Sequence, residues 1–256
     1  MKIGFVGTGY IAKSVITGIL GSKLKINKIF ISKRNKKISN FLSKKSRKIV
    51  IINNNQEIIN RSNWVFLSVI PKIGNNILKC LNFKSNQTIV SFISTIKISQ
   101  LKKYIKVKAK IVRAIPLPPI SLRKGPVPIF PPNKNVKRFF NQLGTTVEIE
   151  NEKLSKNFWA TSGMYASFYE LLSTMSNWLV KRGIKRDKAQ KYITSLFVAL
   201  SENAIVNSKK DLKHLVKDSQ TPRGLNEQGV KELRKAGFYR STEKTLNSIL
   251  KRLNKV

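Results

Sequence analysis

The chain of 256 residues holds one cysteine, Cys80, and one histidine, His214. That scarcity excludes a disulfide framework, a Cys/His zinc site and a multi-histidine centre, so no metal is expected. Cys80, in an apolar run, reads as a small buried hydrophobe, and His214, between lysines, as a solvated helix residue. Runs of about 18 apolar residues, enough to cross a membrane, are also missing. The N-terminus enters directly as a strand rather than as a signal segment. A cytosolic protein without membrane contact is the expectation. Acids are the third shortage, with 12 Asp+Glu against 50 Lys+Arg for a formal charge of +38. Because 41% of the residues are hydrophobic, the chain still buries a core and is no disordered basic tail.

The size of that charge follows from composition, since 38 Lys, 30 Ile and 23 Asn are residues of A/T-rich codons. The lysines run through almost every segment, without the clustering or interleaved aromatics of a nucleic-acid module, so specific nucleic-acid binding is not expected. The distribution of the acids says more. Residues 1–147 carry 29 Lys+Arg and one acid, Glu57, whereas residues 148–256 carry 21 and 11. The change starts at Glu148, Glu150 and Glu152 and reads as a boundary between domains 1–151 and 152–256.

Before that boundary, short β-branched runs alternate with helical stretches. Strands are expected at Lys2–Val6, Lys28–Ser32, Lys48–Ile52, Trp64–Ile70, Thr88–Ser94 and Lys110–Ile115, and their near-continuous apolar runs suit a parallel sheet covered on both faces. A Pro-rich loop from Pro116 to Pro132, a helix near Val136–Leu143 and a strand at Thr145–Ile149 follow. This is the pattern of a doubly wound α/β domain of Rossmann type. After the boundary, apolar positions recur every three or four residues over 153–182, 185–207 and 225–254, which argues for an all-helical second domain.

The strongest local motif is Gly7-Thr8-Gly9-Tyr10-Ile11-Ala12, a GxGxxA that leaves the first strand and opens a helix ending near Gly21. Gly7 permits the tight turn, Gly9 leaves room for a pyrophosphate, and Ala12 lets helix and sheet pack closely. The phosphates would lie on the helix N-terminus. The end of the second strand selects between dinucleotides, because NAD wants an acid for the ribose 2′-hydroxyl and NADP a hydroxyl and cations for the 2′-phosphate. Here Ser32, Lys33 and Arg34 stand in place of the acid. The expected cofactor is NADPH.

Several further motifs, in order, resemble the Δ1-pyrroline-5-carboxylate reductase family nearly end to end. Phe66-Leu67-Ser68-Val69-Ile70-Pro71-Lys72 is similar to that family's "ILAVKPQ", Ser94–Leu101 to "AAGIxxxxL", and Arg113-Ala114-Ile115-Pro116 to "RxMPN". Ser162-Gly163 matches the start of "SGSGPAY", and Thr221-Pro222-Arg223-Gly224-Leu225-Asn226 through Phe238 resembles "SPGGTTxxGLxxLxxAGF". The resemblance implies an NAD(P)H-dependent oxidoreductase acting on CH–NH groups, reducing a cyclic imine carboxylate to L-proline as a homodimer or an assembly of dimers. Val69, Pro71 and Lys72 then join the cofactor site. Gly163, Arg223, Gly224, Leu225 and Asn226 fall to the substrate, with Arg223 facing its carboxylate. Ser162, Thr221 and Asn226 are the candidate hydrogen-bonding and proton-donating groups.

The departures from the family pattern cluster on the substrate side. Leu117, Met164, Tyr165 and Leu225 replace small or polar residues, which alters the pocket's shape and hydrogen bonding. Tyr165 and Tyr169, one helical turn apart, read as packing at a dimer core. Besides a true reductase, two alternatives stay open: a paralogue reducing another imine or carbonyl, and a non-catalytic NADP-binding or nucleic-acid-associated protein on the same fold.

Overall fold

A computed structural model of the chain describes residues 1–255, all but the side chain of Pro71 among them. It divides into two compact units, Met1–Ser155 and Lys156–Val256. In the first, strands β1 (Lys2–Val6), β2 (Lys28–Ser32), β3 (Ile49–Ile52), β4 (Trp64–Leu67), β5 (Thr88–Ser91), β6 (Lys110–Ala114), β7 (Pro126–Phe130) and β8 (Thr145–Glu148) form one sheet. Their order is β3-β2-β1-β4-β5-β6-β7-β8, with every pairing parallel except β6 to β7. Helices α1 (Tyr10–Leu20), α2 (Lys36–Ser43), α3 (Asn55–Asn60), α4 (Pro71–Lys79), α5 (Ile98–Tyr104) and α6 (Lys134–Phe140) connect the strands.

The alternation of strand side chains explains why both faces of the sheet are covered. Ile3, Phe5, Ile29, Ile31, Phe66, Val90 and Val112 enter one core, while Val6, Phe30, Val65, Leu67, Ile89 and Ile111 enter the other. Phe5 and Phe66 are register partners on β1 and β4, and their rings stack at 4.6 Å. Helix α1 buries Ala12, Val15, Ile16 and Ile19, spaced for one helical face, and Gly21 ends it.

The Pro-rich segment corrects the expectation of a loop. It contains a short 3-10 turn at Pro118–Leu122 and then β7. Proline suits poorly the interior of a sheet, yet Pro126 and Pro128 alternate, so both point their missing N–H groups the same way. The carbonyl of Pro128 accepts from Ile115, which places that side toward β6, where only Arg113↔Phe130 and Ala114↔Ile129 pair. The β8 side runs in register from Pro126 to Ile129.

The second unit is all helical: α7 (Ser155–Ser162), α8 (Tyr165–Val180), α9 (Arg186–Val206), α10 (Lys213–Asp218), α11 (Leu225–Lys235) and α12 (Phe238–Asn254). Two expected helices are each split, the last by Gly237, whose φ of +74° favours glycine and ends α11. Helix α8 packs on α9, with Phe168 edge-on to Phe197, and α11 packs on α12. Among the described residues no helix is long and apolar enough to cross a membrane.

Candidate active site

The GxGxxA turn sits at the carboxyl end of β1, next to the end of β4. Gly7 takes φ +92°, and a Cβ there would stand 2.6 Å from the Ser68 carbonyl oxygen and 2.9 Å from Val69 Cγ1. Only glycine meets both demands. A Cβ on Gly9 would meet nothing within 4 Å, and Gly9 caps α1 without any side-chain hydrogen bond. The first turn of α1 has no acid, and the first intrahelical bond runs from the Lys13 N–H to Gly9. Open N–H groups and a helix dipole behind them make this a seat for an anion. Thr8 is buried and its hydroxyl donates to the Ser32 carbonyl at 2.9 Å, with the Ser32 hydroxyl 3.1 Å away. Ala12 is buried against the sheet, Ile11 is half-buried, and Tyr10 is 81% exposed.

At the end of β2 the three expected residues separate. Ser32 is buried and tied to Thr8, whereas Lys33 and Arg34 are exposed. Val69 is half-buried beside Gly7, and Lys72 is exposed on α4. The side chain of Pro71 lies outside what is described, though the residue opens α4. The residues present fit a dinucleotide with a 2′-phosphate: a glycine cradle with uncapped N–H groups, then two free-standing cations where an acid would be.

In the helical unit, Ser162 donates to the Phe158 carbonyl at 3.0 Å. Gly163 is explained by packing, since a Cβ there would lie 3.2 Å from Ile249 of α12. The segment before α11 is a built turn. Arg223 holds φ +63°, a left-handed conformation at the position where the family pattern has glycine. Its N–H donates to Glu227 Oε2 at 2.6 Å, while Lys231 contacts Glu227 Oε1 at 2.8 Å. Those two bonds, Lys231 first, hold the Glu227 carboxyl below its ordinary range. The Gly224 N–H donates to the Thr221 carbonyl at 2.8 Å, and Asn226 Nδ2 donates to Ser219 at 2.8 Å. Asn226 thus braces the turn, and Leu225 is 86% exposed at its end. A cleft of about 440 Å³ beside the turn is lined by Lys213, Lys217, Arg234, Gln220, Thr221 and Glu227, among others.

The expectations for Cys80 and His214 are corrected. Cys80 is exposed as the cap just past the C-terminus of α4, outside the helix's buried face. His214 is half-buried, with Nδ1 against the Asp211 carbonyl. Tyr165 and Tyr169 meet edge-on at 5.0 Å with hydroxyls 3.0 Å apart, and that hydrogen bond raises the Tyr165 pKa. Two carboxylates that the motifs do not single out also emerge: Glu227, detectable three residues after the helix cap at Gly224, and Glu152, whose partner Arg113 is distant in sequence.

The family profile described as pyrroline-5-carboxylate reductase dimerisation matches residues 152–256, and the profile described as NADP oxidoreductase, coenzyme F420-dependent, matches residues 2–95. The helical unit is thus matched as a dimerisation domain of the pyrroline-5-carboxylate reductase kind. Pyrroline-5-carboxylate reductase of Pseudomonas aeruginosa is 24% identical over 98% of this chain and 95% of its own length. The crystal structure of 1-pyrroline-5-carboxylate reductase from Streptococcus pyogenes superposes with a TM-score of 0.83 at 22% identity, covering 100% of this chain and 99% of that one. The Plasmodium falciparum pyrroline carboxylate reductase, solved with NADP bound, has a TM-score of 0.80 at 20% identity, covering 98% and 96%.

Proposed function

We propose that this protein reduces 1-pyrroline-5-carboxylate to L-proline with NADPH, as a cytosolic homodimer or assembly of dimers. The observation that carries the reading is the pairing, in one chain, of an uncapped glycine cradle followed by an acid-free β2 end with a helical unit matched by the family's dimerisation profile. The α1 N-terminus receives the pyrophosphate, and Arg34 and Lys33 hold the 2′-phosphate, Arg34 through its planar fork. Bound NADPH supplies a hydride to the imine carbon.

The turn at 221–224 receives the substrate carboxylate. Its left-handed Arg223 is exposed and carries the charge, and N–H groups at the start of α11 add the helix dipole. Thr221, exposed beside the same cleft, offers a hydroxyl in place of the lost family threonine. Ser162 already donates to Phe158, so solvent supplies the proton for the nitrogen. The surface of the helical unit supports the dimer. Only Ala160, Ser176, Ala189 and Ile193 are fully buried there among the described residues, while Trp178, Tyr192, Val198, Leu200 and Ile205 on α8 and α9 are exposed. That much apolar surface needs a covering partner.

The test is NADPH consumption with 1-pyrroline-5-carboxylate beside piperideine carboxylates. Turnover of the five-membered substrate supports the assignment. Preference for a larger ring would favour the paralogue reading, to which the altered Met164, Tyr165 and Leu225 point.

A further inference from the structure

Arg113, at the end of β6, is 4% exposed, and nothing acidic in the preceding sequence serves it. Glu57, the one acid before residue 148, pairs with Arg61 on the exposed side of α3 at 2.9 Å. Arg113 instead reaches past the last strand. Its Nη1 donates to Glu152 Oε1 at 2.5 Å and its Nη2 to the Ser94 carbonyl at 2.5 Å. Glu152 Oε1 also accepts the N–H of Ile98, the first residue of α5, at 2.9 Å. The Arg113–Glu152 pair therefore holds both ends of the 94–98 loop, Arg113 at Ser94 and Glu152 at Ile98.

That loop faces the cofactor residues. Ile96 and Ile93, with Val69, converge within 3.7 Å of the point where a Cβ on Gly74 would stand, and Val69 in turn packs beside Gly7. In a doubly wound sheet the second mononucleotide half, starting at β4, takes the nicotinamide end of a dinucleotide, and the first half takes the adenosine end. We infer that Glu152 is a positioning residue for the nicotinamide half of the cofactor, acting through Arg113 and the 94–98 loop on Val69. Resting on the nucleotide reading above, this separates two ligands. NADPH senses both halves, and 2′,5′-ADP senses only the adenosine half.

The experiment compares wild type with Glu152→Ala and Glu152→Gln by equilibrium binding of both nucleotides, with circular dichroism as the check on folding. Glu152→Ala weakens NADPH at least about ten-fold and leaves 2′,5′-ADP within about two-fold. Glu152→Gln keeps the acceptor for Ile98 but loses the charge, and gives a smaller loss of the same kind. If Glu152→Ala does not fold, the Gln variant decides. Unchanged NADPH affinity, or an equal loss for both nucleotides, overturns the inference. Wild-type protein that binds neither nucleotide overturns the nucleotide reading itself.

Discussion

Arg34 and Arg223 show how one residue type acts through charge in one place and backbone in another. Arg34 is exposed with no competing acid nearby in sequence, so its guanidinium is available to a phosphate. A charge-assisted hydrogen bond contributes about 1.5–3 kcal/mol. Arg34→Ala should raise the KM for NADPH roughly ten-fold or more and that for NADH little; equal effects on the two cofactors would remove the 2′-phosphate role. Arg223 combines a charge with a left-handed backbone, which costs a non-glycine residue about 1–2 kcal/mol. Arg223→Gly should therefore exceed Arg223→Ala in stability by about 1 kcal/mol, read from chemical unfolding, while both variants raise the KM for the imine carboxylate. The place of Arg34, exposed just past the end of β2, was legible because the spacing from the GxGxxA motif fixes it. Neither the left-handed backbone of Arg223 nor the burial of Ser32 could be read the same way, since conformation and burial depend on neighbours distant in sequence.

The phosphate turn and the segment before α11 separate folding from binding. At Gly7 a Cβ would collide with backbone, and Gly7→Ala should destabilise by about 3 kcal/mol or prevent folding. At Gly9 a Cβ enters open space, so Gly9→Ala should unfold at nearly the wild-type temperature yet bind NADPH at least about ten-fold more weakly. A variant at Gly9 with native affinity would show that the cradle holds no pyrophosphate. Before α11, the Glu227 carboxyl is depressed by Lys231 and the Arg223 N–H. A depressed carboxylate contributes stability above its unfolded pKa and loses it as pH falls through the folded value. Protection of the Arg223 amide, its exchange rate taken relative to that of a free peptide at the same pH, should thus be present at neutral pH and be lost below the ordinary carboxylate range, and Glu227→Gln should abolish that transition. Strands β1 to β6 were legible because apolar runs mark a sheet covered on both faces. Strand β7 was hidden by Pro126 and Pro128, whose alternation matters only once β6 and β8 flank it.

For the whole molecule, charge says less than its unevenness. The near-absence of acids before Glu148 accompanies the nucleotide unit, which draws Glu152 from beyond its last strand to pair with buried Arg113. Burial pulls the Arg113 guanidinium down, against the hydrogen bond and charge of Glu152. The helical unit leaves large apolar side chains of α8 and α9 exposed, so the chain should sediment as a dimer, and Val198→Glu with Leu200→Glu should yield monomer of lower stability. The central claim, imine reduction by NADPH, is tested most directly by following the transferred hydrogen. With NADPH dideuterated at nicotinamide C4 and 1-pyrroline-5-carboxylate, mass spectrometry should find L-proline one mass unit heavier, labelled at the former imine carbon. Unlabelled proline, or intact substrate beside bound NADPH, would contradict it.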